Sequence, residues 1–114
     1  MELERHHQGD VLLVTVRTAR IDAACAIQFK DRMREVTEDA PARVLLDLGA
    51  VDFLDSSGLG AVVSAMKQLG EGSRMELAGL RLDVGQMFRP TRMDTVFTIH
   101  ADAAAALGSG TDVA

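Results

Sequence analysis

Residues 44–69 read VLLDLGAVDFLDSSGLGAVVSAMKQL, and the fold turns on how this stretch is divided. Its first five residues, Val44 to Leu48, are apolar apart from Asp47. A short run of that kind fits a parallel strand buried on both faces. A turn follows, and then Leu59, Val62, Val63 and Met66 recur at i, i+3, i+4 and i+7, one face of a helix. Gly70 and Gly72 end that helix. Between strand and helix stands Asp55-Ser56-Ser57-Gly58, two hydroxyls flanked by an acid and a glycine, where a cap needs only one of the hydroxyls.

Outward from this stretch, strand and helix alternate. VLLVTV at 11–16 is an apolar, β-branched run, and Gln8-Gly9-Asp10 before it reads as a hairpin turn. Residues 2–8 then form an antiparallel edge strand anchored by Leu3. From Ala23 the period changes: Ala26, Phe29, Met33 and Val36 share a helical face, with Asp22 as the expected N-cap and Pro41 as the stop. Met75-Glu76-Leu77-Ala78 alternates as a strand. Leu82 to Phe88 forms a short helix stopped at Arg89-Pro90, Val96 to Ile99 a last strand, and Ala101 to Leu107 a last helix. The expected architecture is a single α/β domain over 1–108. It has a mostly parallel mixed sheet of 4-5 strands, an N-terminal hairpin and about four helices, with 109–114 as a disordered tail.

Composition narrows the function. The chain has 114 residues, enough for one core. Its net charge is −5, with two lysines, Lys30 and Lys67, and scattered arginines. That argues against nucleic acid, which calls for a basic stripe. No run approaches the ~20 apolar residues of a membrane span, and MELERHHQGD has no apolar signal core. The expected location is the cytoplasm. Cys25 stands alone, so no disulfide forms within the chain, and it reads as a small buried apolar residue. His6 and His7 read as solvated. Met33, Met66, Met75, Met87 and Met93 read as core or near-core. No cofactor is indicated, and Asp52 with Asp55 and a serine is a weak basis for a metal, so none is expected.

Backbone N–H groups at the mouth of the second helix face the carboxyl edge of the sheet, where α/β domains gather reactive groups. A phosphate on a serine there is compatible with the fold. The alternative is that one of Ser56 and Ser57 is a cap and nothing more. A nucleophile elbow fails, because Leu54 and Asp55 stand where its first glycine belongs. A phosphoaspartate receiver domain fails for lack of an acidic pair after VLLVTV and of a lysine beyond Lys67. No phosphate loop or catalytic pair supports an enzyme.

With those residues in view, the segment from Asp47-Leu48 through Val51, Phe53 and Asp55-Ser56-Ser57-Gly58-Leu59-Gly60 resembles the signature of the STAS domain family. More closely, it is similar to the bacterial anti-sigma factor antagonists. The resemblance extends to the hairpin, to the helix after Asp22, and to Val96-Phe97 and Ala101-Asp102-Ala103 near the end. It departs at Ala19-Arg20-Ile21-Asp22, where the family commonly has G-E-L-D, and at Phe88 to Met93, where Pro90 shortens a helix. The resemblance implies phosphorylation at Ser56 and capture of a cognate anti-sigma factor, a serine kinase of the histidine-kinase-like ATPase fold. It also implies reset by a metal-dependent serine phosphatase. The chain would act as a monomer and would not be an enzyme. Asp22, Asp55, Ser57, Gly58, Leu59 and Gly60 are the expected partner-binding and loop residues. On this view Ser57 is the better candidate for the N-cap or for supporting the loop, Gly58 and Gly60 either admit a partner backbone or shape the turn, and Leu59 and Val62 divide between core and contact. Ala61, Ser64, Ala65 and Gln68 form a smooth exposed face suited to docking. A non-switching STAS interaction module, as a signalling scaffold or the small subunit of a lipid-transport ATPase, is the other reading the family allows.

Overall fold

The computed structural model describes residues 1–90, 92 and 96–111, the last three by backbone alone. Met93 and the Asp94-Thr95 pair lie outside the described residues, as do 112–114 of the expected tail. In chain order the elements are β1 (Leu3–Gln8), β2 (Val11–Val16), β3 (Arg20–Ile21), α1 (Ala26–Val36), β4 (Arg43–Asp47), β5 (Phe53–Leu54), α2 (Ser56–Lys67), β6 (Arg74–Ala78), α3 (Leu82–Phe88), β7 (Thr98–His100) and α4 (Ala103–Thr111). This is the α/β domain that the sequence predicts, with four helices and a mixed five-stranded sheet.

The sheet order is β1-β2-β4-β6-β7. The β1–β2 hairpin is antiparallel and every later pair is parallel. Gly9 turns the hairpin at φ +60, a left-handed conformation that glycine adopts without steric cost. The central strand β4 buries both faces, as its unbroken apolar run requires. Val44 and Leu46 point into a core built with Phe29 and Met33 of α1, Leu59 and Val62 of α2, and Val84 and Phe88 of α3. Leu45 points the other way, against Ala78 and Ala106 of α4. Three helices therefore cover one face of the sheet and α4 packs on the other. Complete burial of a side chain such as Leu46 contributes about 1.5–3 kcal/mol.

Four features differ from the sequence reading. Helix α1 starts at Ala26 rather than Ala23. The last strand starts at Thr98 and runs to His100, leaving Val96 exposed and Phe97 buried ahead of it, edge-on to Phe88. Helix α4 continues past Leu107 to Thr111. The fourth difference is a second sheet of two strands, β3 and β5, which pair in parallel with Arg20 opposite Phe53 and Ile21 opposite Leu54. Strands of two residues leave no periodic signal. They matter because they bring the segments ahead of α1 and α2 side by side.

Candidate functional site

The site begins where β4 ends. The Gly49 amide donates to Asp47 Oδ1 at 2.9 Å, the Val51 amide to the Leu48 carbonyl at 3.0 Å and the Asp52 amide to the Ala19 carbonyl at 2.8 Å. These bonds bend the chain out of the main sheet and lay β5 against β3. Asp55 follows in an extended conformation as the N-cap of α2. Its Oδ1 accepts from the Gly58 amide at 2.8 Å, and its Oδ2 accepts from the Ala23 amide at 3.1 Å. One carboxylate thus caps α2 and ties it to the segment leading into α1. The cap is Asp55, so the expectation that Ser57 fills that role is corrected. Three adjacent residues of capping type compete here, and only Asp55 has an extended backbone ahead of the first helical turn.

Ser56 and Ser57 occupy the first two positions of α2, and both are exposed. Gly58 is buried, and a Cβ there would collide with the Ile21 carbonyl and crowd Leu54. The backbone that Gly58 admits is the chain's own, from β3, and not a partner's. A Cβ at Gly60 would meet only open space, and Gly60 is exposed. Leu59 and Val62 belong to the core, at 7 % and 0 % exposure. Ala61 and Ala65 are also buried, which overturns the expected smooth docking face. Gly58, Ala61, Val62 and Ala65 form the inner stripe of α2, and α1 lies beside that helix. Small side chains let two helices pack closely. Of the four residues assigned to that outer face, Gln68 is exposed and Ser64 half-buried.

Asp22 lies beside this mouth without capping α1. The Cys25 amide donates to its carbonyl and the Ala24 amide to its Oδ1, each at 3.1 Å. The side chain therefore holds a turn over residues 22–25, and the helix starts one turn late with Cys25 as its cap residue. Arg20 Nε donates to Asp22 Oδ2 at 3.2 Å. That bond holds the Asp22 carboxyl below the usual aspartate range, against the opposing effect of desolvation. The Cys25 thiol, the Ala24 amide and the Arg20 charge add to the lowering. Cys25 is half-buried rather than buried, because its thiol sits 3.5 Å from both the Arg20 carbonyl and Asp22 Oδ1 in this polar turn. The Arg20 guanidinium also lies 4.1 Å from the centre of the Phe53 ring, which is 38 % exposed. Nothing in the sequence pattern assigns a role to either residue. Their pairing follows from the β3–β5 register and has no signature of its own.

Chemically, Ser56 presents a hydroxyl to which no base is bonded among the described residues. Asp55 spends both oxygens on backbone amides, and His100 is bonded to Glu76 at 2.7 Å. His6 and His7 are exposed on β1. No group of three or more metal-ligating side chains occurs among the described residues. Such a hydroxyl is suited to being a substrate at a helix N-terminus, where the dipole and amides tolerate an added anion.

A second polar cluster, without a signal in the sequence, lies on the α4 face. Strand alternation leaves Glu76 no evident partner, yet it is 2 % exposed. It is held by Arg43 at 2.8 Å, Arg74 at 3.1 Å and His100 at 2.7 Å. Arg43 also donates to the Ala106 carbonyl at 3.0 Å, which fastens α4 to β4 and β6. These side chains line a cleft of about 620 Å³ that also takes in the hairpin residues Gly9 to Val11. The carboxylate is fully partnered, so the cluster acts as a clasp on α4. Desolvation pushes Glu76 up. The hydrogen bonds from Arg43 and His100 and the charges of Arg43 and Arg74 outweigh it, leaving the carboxyl below its ordinary value.

Comparison with known proteins places this geometry. A Bordetella bronchiseptica protein assigned as the anti-sigma factor antagonist BtrV is 28% identical over 100 residues, covering 85% of this chain and 86% of that protein. An anti-sigma factor antagonist from Mycobacterium paratuberculosis superposes with a TM-score of 0.83 at 23% identity, over 95% of this chain and 92% of the other. The Bacillus cell-fate determinant SpoIIAA in its phosphorylated form superposes with a TM-score of 0.68 at 15% identity, over 95% and 98%. No helix among the described residues is long and apolar enough to cross a membrane. The STAS domain model matches residues 2–106, nearly the whole described fold, and the chain therefore belongs to the STAS domain family.

Proposed function

We propose that this chain is an anti-sigma factor antagonist that works by binding, with no catalytic step of its own. In its unmodified form it captures a cognate anti-sigma factor, a serine kinase of the histidine-kinase-like ATPase fold, and so releases a sigma factor. The kinase transfers the γ-phosphoryl group of ATP to Ser56 Oγ. ADP leaves, the hydroxyl proton is released, and the complex separates. A metal-dependent serine phosphatase restores the hydroxyl by hydrolysis. Asp22, Asp55, Ser57 and Gly60 form the rim of the binding surface, while Gly58 and Leu59 shape it from beneath.

The observation that carries this reading is the exposure of Ser56 at the first position of α2 while Asp55 alone caps the helix. Ser56 is thereby left out of the hydrogen bonding that builds the helix mouth and is open to modification. The relatives' assignments as anti-sigma factor antagonists, and the existence of a phosphorylated form of one structural neighbour, point the same way. A phosphoryl group adds about −1.5 to −2 charges beside Asp55 and Asp22. Within the fold the start of α2 accommodates it. Against a docked partner surface it is repelled or leaves unpaired charge. Exclusion of the partner, rather than refolding, is the mechanism.

The test is to isolate the protein from its native cells and map its modification by tandem mass spectrometry. A phosphoryl group on Ser56, lost on treatment with a serine phosphatase, is the expected result. Phosphate confined to Ser57 or to residues away from α2 would overturn the assignment.

A further inference from the structure

Arg20 lies on the short strand that pairs with the segment leading into Ser56. It sits on β3 directly opposite Phe53 of β5, with its guanidinium 4.1 Å from the ring centre. Its Nε donates to Asp22 Oδ2 at 3.2 Å, and the side chain is still 57% exposed. Asp22 is followed by Ala23, whose amide donates to Asp55 Oδ2 at 3.1 Å, and Asp55 is followed by Ser56. This path of bonds and neighbouring residues links the guanidinium to Ser56 at one sheet edge.

Unmodified, the mouth of α2 carries the carboxylates of Asp22 and Asp55, with Asp52 exposed beside them, and Arg20 as the cation between β3 and β5. Asp55 is fully engaged with backbone amides, so Asp22 is the acceptor Arg20 takes. A phosphoserine brings more charge than a carboxylate and three acceptor oxygens, and arginine's planar fork fits it bidentately. Arg20 is an exposed residue in a surface pair of small strength. A phosphoserine within reach of its side chain is the stronger acceptor.

The geometry points to Arg20 as an internal phosphate receiver, which exchanges Asp22 for the phosphorylated Ser56 and uncovers the Phe53 ring. This rests on the phosphoswitch reading and adds to it. Modification then does more than place charge at Ser56: it withdraws the cation from the partner's side of the surface and frees the Asp22 carboxylate. Two recognition features change together, without movement of the main sheet.

The experiment incorporates phosphoserine at position 56 during synthesis, so it needs neither the kinase nor phosphorylation in the cell. Failure of the cellular switch would therefore leave this result readable. The phosphate is titrated by ³¹P NMR in the otherwise wild-type chain and in Arg20→Gln, Arg20→Lys and Arg81→Gln backgrounds. Arg81 lies at the same edge and bonds to the Gly49 carbonyl, so it controls for a general change of charge. The expected result is a second phosphate pKa lower by about 1 unit in the wild-type background than in Arg20→Gln, partly kept by Arg20→Lys and unchanged by Arg81→Gln. The Arg20 Nε–H resonance should also shift between unmodified and phosphorylated wild-type protein, a readout that requires no variant to fold. Equal phosphate pKa values with and without Arg20, an equal effect of Arg81→Gln, or an unmoved Nε–H resonance would overturn the proposal.

Discussion

Gly58 of α2 faces the main-chain carbonyl of Ile21 so closely that no side chain fits between them. This contact seats the mouth of the second helix on the strand ahead of the first. It fixes where Ser56 stands relative to Asp22 and Arg20. Gly58→Ala should therefore destabilise the fold by about 1–3 kcal/mol, since the obstacle is rigid backbone. Gly60→Ala, two residues on and facing open space, should be neutral or stabilising by up to about 1 kcal/mol. Urea unfolding of both variants checks the contrast, and equal midpoints would refute it.

Asp55 joins two segments through one carboxylate. Removing it in Asp55→Ala takes away a helix cap and an inter-segment bond, for a loss of about 1–3 kcal/mol. Asp55→Asn should lose less, because its amide oxygen can still accept from Gly58 while its NH2 cannot accept from the Ala23 amide. Thermal denaturation distinguishes them. A phosphate-accepting or metal role for Asp55 would instead make the two substitutions alike in function while leaving stability unchanged.

The clasp on α4 predicts a dependence on acid. The folded-state pKa of Glu76 is lowered, so its contribution to stability is fully present above the ordinary glutamate range near about 4.3. It is lost as pH falls through the lower folded-state value. Glu76→Gln should destabilise by about 3–5 kcal/mol near neutrality, since it leaves Arg43 partly buried without its counter-charge. It should also flatten the acid limb of the stability profile. Urea midpoints measured from pH 7 downward show whether that limb is tied to this carboxyl.

The frame is legible in the sequence because the frame is periodic. The unbroken apolar run at Val44 to Leu46 announces a strand buried on both faces, and the spacing of Phe29 and Met33 announces the inner face of α1. What stays hidden depends on close approach rather than pattern. Ala61 and Ala65 carry too little hydrophobic signal to mark a buried stripe, yet they lie inside because α1 packs beside α2. Three consecutive capping residues cannot be ranked until the extended backbone of Asp55 singles it out. Asp22 looks like a helix cap and holds a turn instead. The burial of Glu76 depends on Arg43 and His100 arriving from distant segments. The D-S-S-G-L-G motif is legible as a motif, and the pairing of Arg20 with Phe53 beside it is not.

The switch also predicts an order among variants. Ser56→Ala should keep partner binding and abolish its reversal by ATP. Ser56→Asp should bind at least about tenfold more weakly, a difference of roughly 1.4 kcal/mol. Ser57→Ala should change binding little, since Asp55 caps the helix without it. Calorimetric titration with the purified partner checks the series.

The most direct measurement compares the unmodified protein with protein carrying phosphoserine at position 56 as baits in lysate from the native cells, with captured partners quantified by mass spectrometry. The account predicts a protein of the histidine-kinase-like ATPase fold on the unmodified bait and its loss from the phosphorylated one. An identical set of partners on both baits would contradict it and leave Ser56 as an ordinary serine at a helix mouth.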